Sequence, residues 1–265
     1  MVVFAVIVLA VTQAQPLTAG VLAGVPTAKL SNGFELPVIG LGMGPWCNAA
    51  KCPAPANPCA DCYDNASAAA DVILAASVGI TFIDTALGYG NQGGVGDAVR
   101  RFPGGRSNAV VQTKVPPCGG KGITVAECEA DTRASVEKDF AQLNLSVIDV
   151  MLLHAGPSAG DNGTRGDDCG GGSCALAVAQ WRVMEKYYWQ GRLNAIGVSN
   201  WCQRCFECLK GSNRTSVTPM VNQIQYHAGM GSADPDGLIS YCKTEGVCSA
   251  FVFGFSFPSP SINHR

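Results

Sequence analysis

The sequence predicts an α/β chain whose parallel sheet closes into a (β/α)8-type barrel, and three observations carry that reading. Strand-like apolar runs alternate with helix-like stretches, the pattern of parallel strands joined by crossover helices. Val147-Ile-Asp-Val-Met-Leu-Leu-His154 is a continuous apolar run, as in a strand covered on both faces. Five polar residues, Asp84, Lys114, His154, Asn200 and Gln223, end or nearly end five successive strands. In an open sheet, neighbouring strands lie about 4.8 Å apart, so the outer two of these residues would be separated by roughly 19 Å. Open sheets bind ligands at a single switch point, so one small site could not use all five. Closing the sheet turns all of them toward one mouth, the face where barrels keep their chemistry.

The elements follow in order. Ala28 to Pro37 reads as a hairpin around the turn Asn32-Gly33. Val38 to Gly44 is the first barrel strand, with glycines that permit close backbone approach at its end. Cys47 to Asn65, rich in Cys and Pro, is an inserted surface loop. An Ala-rich helix from Ser67 to Val78 stops at Gly79. Ile80 to Ile83 is a short buried strand with Asp84 at its exit and Tyr89 on the turn beyond. A short helix through Asp97 to Phe102 ends at Pro103.

Ala109 to Val115 is the third strand, and Thr124-Val-Ala-Glu127 is a capping box. Cys128, Val136, Phe140 and Leu143 then recur near helical spacing. After the strand ending at His154 comes a glycine-rich loop, Gly156 to Gly172. The next helix carries the stripe Ala177, Trp181, Met184 and Tyr188, and Gly191 ends it. Leu193 to Asn200 is the fifth strand, Cys202 to Lys210 a short helix, and Met220 to His227 the sixth strand. Asp234-Pro235 opens a helix running to Thr244, with Pro at a favoured first-turn position, and Cys248 to Phe253 is a seventh strand.

Composition bounds the partners and the compartment. A net charge of −2 with no basic run excludes nucleic acid and acidic lipid as partners. Met1 to Val11 is uncharged and apolar, too short to span a bilayer, which takes about 20 apolar residues. Small residues at Thr12 and Ala14 fit a signal peptide of residues 1–14 with cleavage after Ala14. The alternative is an uncleaved anchor extending through Val21 to Val25. Thirteen cysteines clustered in loops favour disulfides and the secretory pathway: ER lumen, cell surface or extracellular space. Cys59-Ala-Asp-Cys62 alone suits zinc, but no His accompanies it. Sequons at Asn65, Asn144, Asn162 and Asn213 point the same way.

Each candidate site residue has an ordinary explanation when taken alone. Asp84 would cap the next helix, Tyr89 would pack on its loop, and Lys114 would leave a strand for solvent. His154 would be a satisfied core histidine, Ser199-Asn200 a helix cap, and Gln223 a polar strand end. Their joint order overturns these readings: Asp-Thr-Ala-x-x-Tyr, then Thr-Lys, Leu-Leu-His, Gly-Val-Ser-Asn and Val-Asn-Gln-Ile on successive strand ends. From Lys29 to Gly246 the chain resembles the aldo-keto reductases, whose signature is matched by Gly79-Ile-Thr-Phe-Ile-Asp-Thr-Ala-Leu-Gly-Tyr-Gly-Asn91 and the closing Val95-Gly96.

That resemblance implies a barrel from residue 28 to residue 265, the hairpin crossing its bottom and residues 47–65 inserted. It implies NADPH-dependent reduction of an aldehyde or ketone to an alcohol by a monomer acting on small carbonyl substrates, with no membrane contact once the leader is removed. Tyr89 would be the general acid, Lys114 its cationic neighbour, Asp84 the anchor of Lys114, and His154 a donor to the substrate oxygen. A free tyrosine has a pKa of about 10. A lysine cation about 4 Å away would favour its phenolate by ~4 kcal/mol at an effective dielectric of 20. Ser199, Asn200 and Gln223 match the family positions that hold the nicotinamide carboxamide of NADPH.

The chain also departs from the pattern. Ala155-Gly156 stands where the family has a Trp, and Phe251-Val-Phe-Gly-Phe255 replaces a Tyr-Ser-Pro-Leu run. The last strand and helix, which in the family carry the grip on the cofactor's 2′-phosphate, have no counterpart. The expectation is a seven-stranded barrel whose first and seventh strands expose unpaired edges, and which does not bind NADPH as it stands. The alternative function is a catalytically silent secreted barrel glycoprotein that binds or supports.

Overall fold

The computed structural model describes residues 25–44, 64–119, 122–157, 174–213, 215–226, 234 and 236–253, together with the backbone of residues 4–8. The cleavage point at Ala14, residues 47–63 of the insertion, the sequon at Asn162, most of the Gly156–Gly172 loop, His227 and the tail from Gly254 lie outside the described residues.

Seven strands run parallel in chain order: β4 (Ile39–Gly42), β5 (Phe82–Asp84), β6 (Val110–Val115), β7 (Ile148–Leu153), β8 (Leu193–Ser199), β9 (Val221–Gln225) and β10 (Cys248–Phe253). The sheet is nonetheless closed. β1 (Phe4–Val8) lies antiparallel between β10 and β4, with Val6 opposite Val252 on one side and Gly40 on the other. This corrects the expectation of two exposed edges. A short β-branched run, Phe-Ala-Val-Ile-Val, supplies both rows of backbone partners that a seven-stranded barrel lacks. The run expected to form a leader's apolar core is thus the eighth stave, in the reverse direction.

The hairpin β2 (Thr27–Lys29) and β3 (Glu35–Pro37) forms a separate two-stranded sheet. Its turn residue Asn32 donates from Nδ2 to the Asn194 carbonyl at 2.8 Å, tying it to the start of β8. Gly33 takes φ +90°, a conformation that costs a residue with a Cβ.

The helices cover the barrel as the sequence predicts, with shifted bounds at three of them; the one expected to reach Phe102 stops at Arg100. α1 spans Asn65–Ser77, so Asn65 is the first residue of a helix rather than part of the loop, and its Oδ1 accepts from Gly94 N at 2.9 Å. α2 is Gln92–Arg100; a Cβ at Gly94 would overlap the Asn65 carbonyl, so glycine is what lets α1 and α2 meet. α3 (Val125–Leu143) opens with the predicted capping box, Thr124 N donating to Glu127 Oε2 at 2.8 Å and Glu127 N to Thr124 Oγ1 at 3.2 Å. α4 spans Cys174–Trp189 and buries Ala177, Trp181 and Met184, and α5 spans Gln203–Lys210.

α6 begins only at Leu238 and ends at Thr244. Gly237, at φ +74°, breaks the first turn expected after Asp234. The Asp234 carboxylate instead reaches forward to accept from Ile239 N and Ser240 N, both at 2.9 Å. Between described residues two disulfides staple this layer: Cys118–Cys128 joins the segment after β6 to α3, and Cys174–Cys208 joins α4 to α5.

Candidate active site

The strand register delivers the polar strand ends to one face. Along β6 successive side chains alternate in direction, so Gln112 and Lys114 share one side and Thr113 takes the other. Asp84 closes β5 next door, in register with Gln112. Its Oδ1 accepts from Lys114 Nζ at 2.6 Å and from Gln112 Nε2 at 2.6 Å. Lys114 Nζ also donates to the Thr85 carbonyl at 2.9 Å and lies 3.4 Å from Tyr89 Oη.

Lys114 is 1% exposed, so its charge survives only through these partners. Burial pulls its pKa down. The carboxylate of Asp84, then Tyr89, outweigh that and leave the ammonium above its ordinary value.

Tyr89 sits on the 3₁₀ turn Leu87–Tyr89, half-buried, its ring edge-on to His154 with centroids 5.7 Å apart. Gly44 lies beside it, and a Cβ there would come within 3.4 Å of the phenol ring, about van der Waals contact. His154 follows β7 and is anchored by its backbone N donating to the Val115 carbonyl at 2.8 Å. The structure therefore brings Asp84, Tyr89, Lys114 and His154 to one mouth.

The other three predicted residues form a second group beside it. Asn200 adopts φ +56°, a left-handed conformation that Asn tolerates. From there its Nδ2 donates to the His154 carbonyl at 2.9 Å and to Ser199 Oγ at 3.1 Å. Ser199 Oγ donates in turn to the Gln223 carbonyl at 2.9 Å. Gln223 Nε2 is buried without a hydrogen-bond partner among the described residues. A buried amide donor without a partner is costly, and a ligand carbonyl is the kind of group that satisfies it.

Sequence reasoning gave no role to three contributors, although Asn91 stands in the signature itself. Gln112 shares Asp84 with Lys114, and its signal is the period of two in Gln112-Thr-Lys114. The Thr85 carbonyl is a ligand that no side-chain motif announces. Asn91 braces the Tyr89 loop, its Nδ2 donating to the Met43 carbonyl at 2.9 Å.

With this geometry in hand, the likeness to known proteins becomes specific. The Aldo/keto reductase family model matches residues 41–252. The chain belongs to the aldo/keto reductase family. It is 29% identical over 223 residues to glyoxal reductase of Bacillus subtilis (strain 168), a match that covers 83% of this chain and 64% of that protein. It is 30% identical over 202 residues to morphine 6-dehydrogenase of Pseudomonas putida, covering 76% of this chain and 55% of that one. Among solved structures, an aldo/keto reductase from Brucella melitensis superposes with a TM-score of 0.63 at 25% identity, over 85% of this chain and 70% of that one. A Bombyx mori aldo-keto reductase in complex with NADP shares the fold, with a TM-score of 0.62 at 20% identity. The chain thus spans under two thirds of the length of the curated relatives it matches.

Proposed function

We propose that this aldo/keto reductase chain reduces small aldehydes or ketones to alcohols with NADPH, Tyr89 acting as general acid. One observation carries the reading: a buried lysine, held by Asp84 at 2.6 Å, reaches the Tyr89 hydroxyl at 3.4 Å at the barrel mouth. The cofactor, when bound, supplies hydride to the carbonyl carbon. The chain's own work is to place a proton. Tyr89 Oη would give its proton to the carbonyl oxygen, with Lys114 beside it to compensate the phenolate left behind. Asp84 and the Thr85 carbonyl keep Lys114 in place. His154, ring against Tyr89, would donate to the same oxygen and orient it.

The residues present fit the nicotinamide end. Gln223 Nε2 is the unpartnered buried donor, and Asn200, fixed through His154 and Ser199, borders it. NADP as cofactor is supported by the Bombyx mori relative in complex with NADP.

The test is NADPH oxidation by the purified protein with small aldehydes. Tyr89→Phe is expected to lower turnover by about two orders of magnitude or more, the scale of losing a general acid. Equal rates for the two forms would sink the catalytic reading. Saturable binding of NADPH, followed by its fluorescence, is expected alongside turnover, and its absence would count against NADPH as the cofactor.

We further propose that the protein matures in the secretory pathway. Two disulfides among the described residues support this, because such bonds persist in oxidising compartments. A leader lost after Ala14 and a strand at Phe4–Val8 that closes the barrel are exclusive fates in one mature chain. The N-terminal mass after expression in a eukaryotic secretory system separates them. Loss of residues 1–14 with glycosidase-sensitive mass supports secretion. An intact N-terminus without glycan refutes the cleaved leader and leaves β1 in the barrel.

A further inference from the structure

Behind Lys114, on the outer side of the same strand, lies a second buried polar group that the proposed chemistry does not use. Thr113 Oγ1 donates to Asp139 Oδ1 of α3 at 2.7 Å. Gln92 Nε2 of α2 donates to Thr113 Oγ1 at 2.6 Å and to Asp139 Oδ1 at 2.5 Å. All three side chains are buried, Asp139 completely. The cluster pins α2, α3 and β6 to one another, and α2 begins three residues after Tyr89.

The hydrogen bonding leaves two oxygens over. Asp139 Oδ2 and Gln92 Oε1 are both buried without a partner among the described residues. A carboxylate and an amide oxygen repel, whereas a carboxylic acid pairs with an amide, its O–H donating to the amide oxygen. A proton on Asp139 Oδ2 would turn that orphaned acceptor into a donor, and Gln92 Oε1, on the side chain already bonded to Oδ1, is an acceptor in want of one.

Among the described residues no cation touches the carboxyl. Arg100 pairs with Asp97 on α2, Glu137 of α3 with Arg192 and Tyr187, and Asp149 of β7 with Arg106. Glu185 of α4 accepts from the backbone of Ser216 and Val217, Arg182 pairs with Glu129, and Arg133 and Lys138 of α3 are exposed. Lys114, through the strand, is the charge that acts on Asp139. Burial raises the carboxyl from 3.8 to about 7, against the hydrogen bonds of Gln92 and Thr113 and the field of Lys114.

We propose that Asp139 is a positioning residue for Lys114: its buried carboxyl gains and loses a proton, and the Lys114 ammonium senses the change across β6. In both forms Thr113 and Gln92 hold Oδ1 and join α2, α3 and β6. In the ionised form a negative charge also faces Lys114 from behind. The consequence for turnover, a fall as the carboxyl ionises, rests on the reductase reading. The relay itself does not.

The experiment follows the Lys114 Nζ resonance in ¹⁵N-lysine-labelled protein across the neutral range, assigned by its loss in Lys114→Arg. The wild type should show a step with midpoint about 7. His154→Gln should keep the step, which separates it from the titration of the nearby imidazole. Asp139→Asn should abolish it, because the amide mimics the acid and cannot ionise. Asp139→Ser, which keeps a hydroxyl for Gln92, does the same duty if the Asn variant does not fold.

A flat wild-type signal, a step lost in His154→Gln, or a step kept in the Asp139 variants overturns the proposal. If the relay is present but no form reduces a carbonyl at any pH, the reductase reading falls and the relay stands. With turnover, the pH profile should lose the same step in Asp139→Asn. A profile identical to wild type ends the positioning role.

Discussion

β6 separates two buried ionisable groups that solve the same problem in opposite ways. On its inner side Lys114 keeps its charge because Asp84 meets it at 2.6 Å and the Thr85 carbonyl at 2.9 Å. On its outer side Asp139 meets only neutral donors, Thr113 and Gln92. Burial works against the charged form in both places, so the partner decides the outcome. A full opposite charge holds the lysine ionised, whereas two neutral donors leave the carboxyl poised near neutrality, about 7. Groups poised in this range are the ones that move protons, and groups clamped far from it hold geometry.

The contrast can be broken most forcefully at Asp84. Asp84→Ala strands a buried ammonium, and breaking such a pair costs about 3–5 kcal/mol of stability. Asp139→Ala removes a group that can go neutral and should cost clearly less. Equal losses in urea unfolding would mean that the charge partner is not what distinguishes the two sites.

A second test uses pH. Because the folded carboxyl of Asp139 sits near 7 and its ordinary value is 3.8, the folded state keeps a proton that the unfolded chain has lost between those values. Its contribution is complete below 3.8 and is lost as pH rises through about 7, so stability falls across that window. At 1.36 kcal/mol per unit the full effect is on the order of 4 kcal/mol as an upper bound. Asp139→Asn should flatten this part of the curve, measured as unfolding free energy against pH. A wild-type curve that rises over the window refutes the assignment.

The smallest expected effect is at Thr113. Thr113→Val deletes one hydrogen bond that favours the ionised carboxyl, a contribution of about 1 kcal/mol. The midpoint of Asp139, followed through its carboxyl carbon by NMR, should move upward. No movement, or a downward one, would show that Thr113 does not bear on the charge of Asp139.

Much of the inner side was legible from residue order. Asp84, Lys114, His154, Asn200 and Gln223 were placed at successive strand ends, and the strands occur where the apolar runs lie. The outer side was not. Asp139 precedes Phe140 on α3, and a lone aspartate beside an apolar stripe passes for a solvated residue. Its burial shows only once α2 and β6 pack over it, although the spacing Thr132, Val136, Asp139, Leu143 traces one buried face. The late start of α6 escaped for a related reason: Asp234-Pro235 signals a helix, and Gly237 overrides it with a left-handed residue.

By itself, then, the sequence determined the family, the order of strands and the residues carried to the mouth, because period-two and apolar patterns are local and survive without partners. Tertiary structure decided what no local pattern encodes. It made Gln112 a co-ligand of Asp84, left Gln223 Nε2 and Asp139 Oδ2 buried without partners, and set Phe4–Val8 between β10 and β4. Phe-Ala-Val-Ile-Val is equally apt as a leader's core or as a strand. What turns it into a strand is a pair of open sheet edges at the right separation, and those exist only when seven other strands have already curled around the barrel.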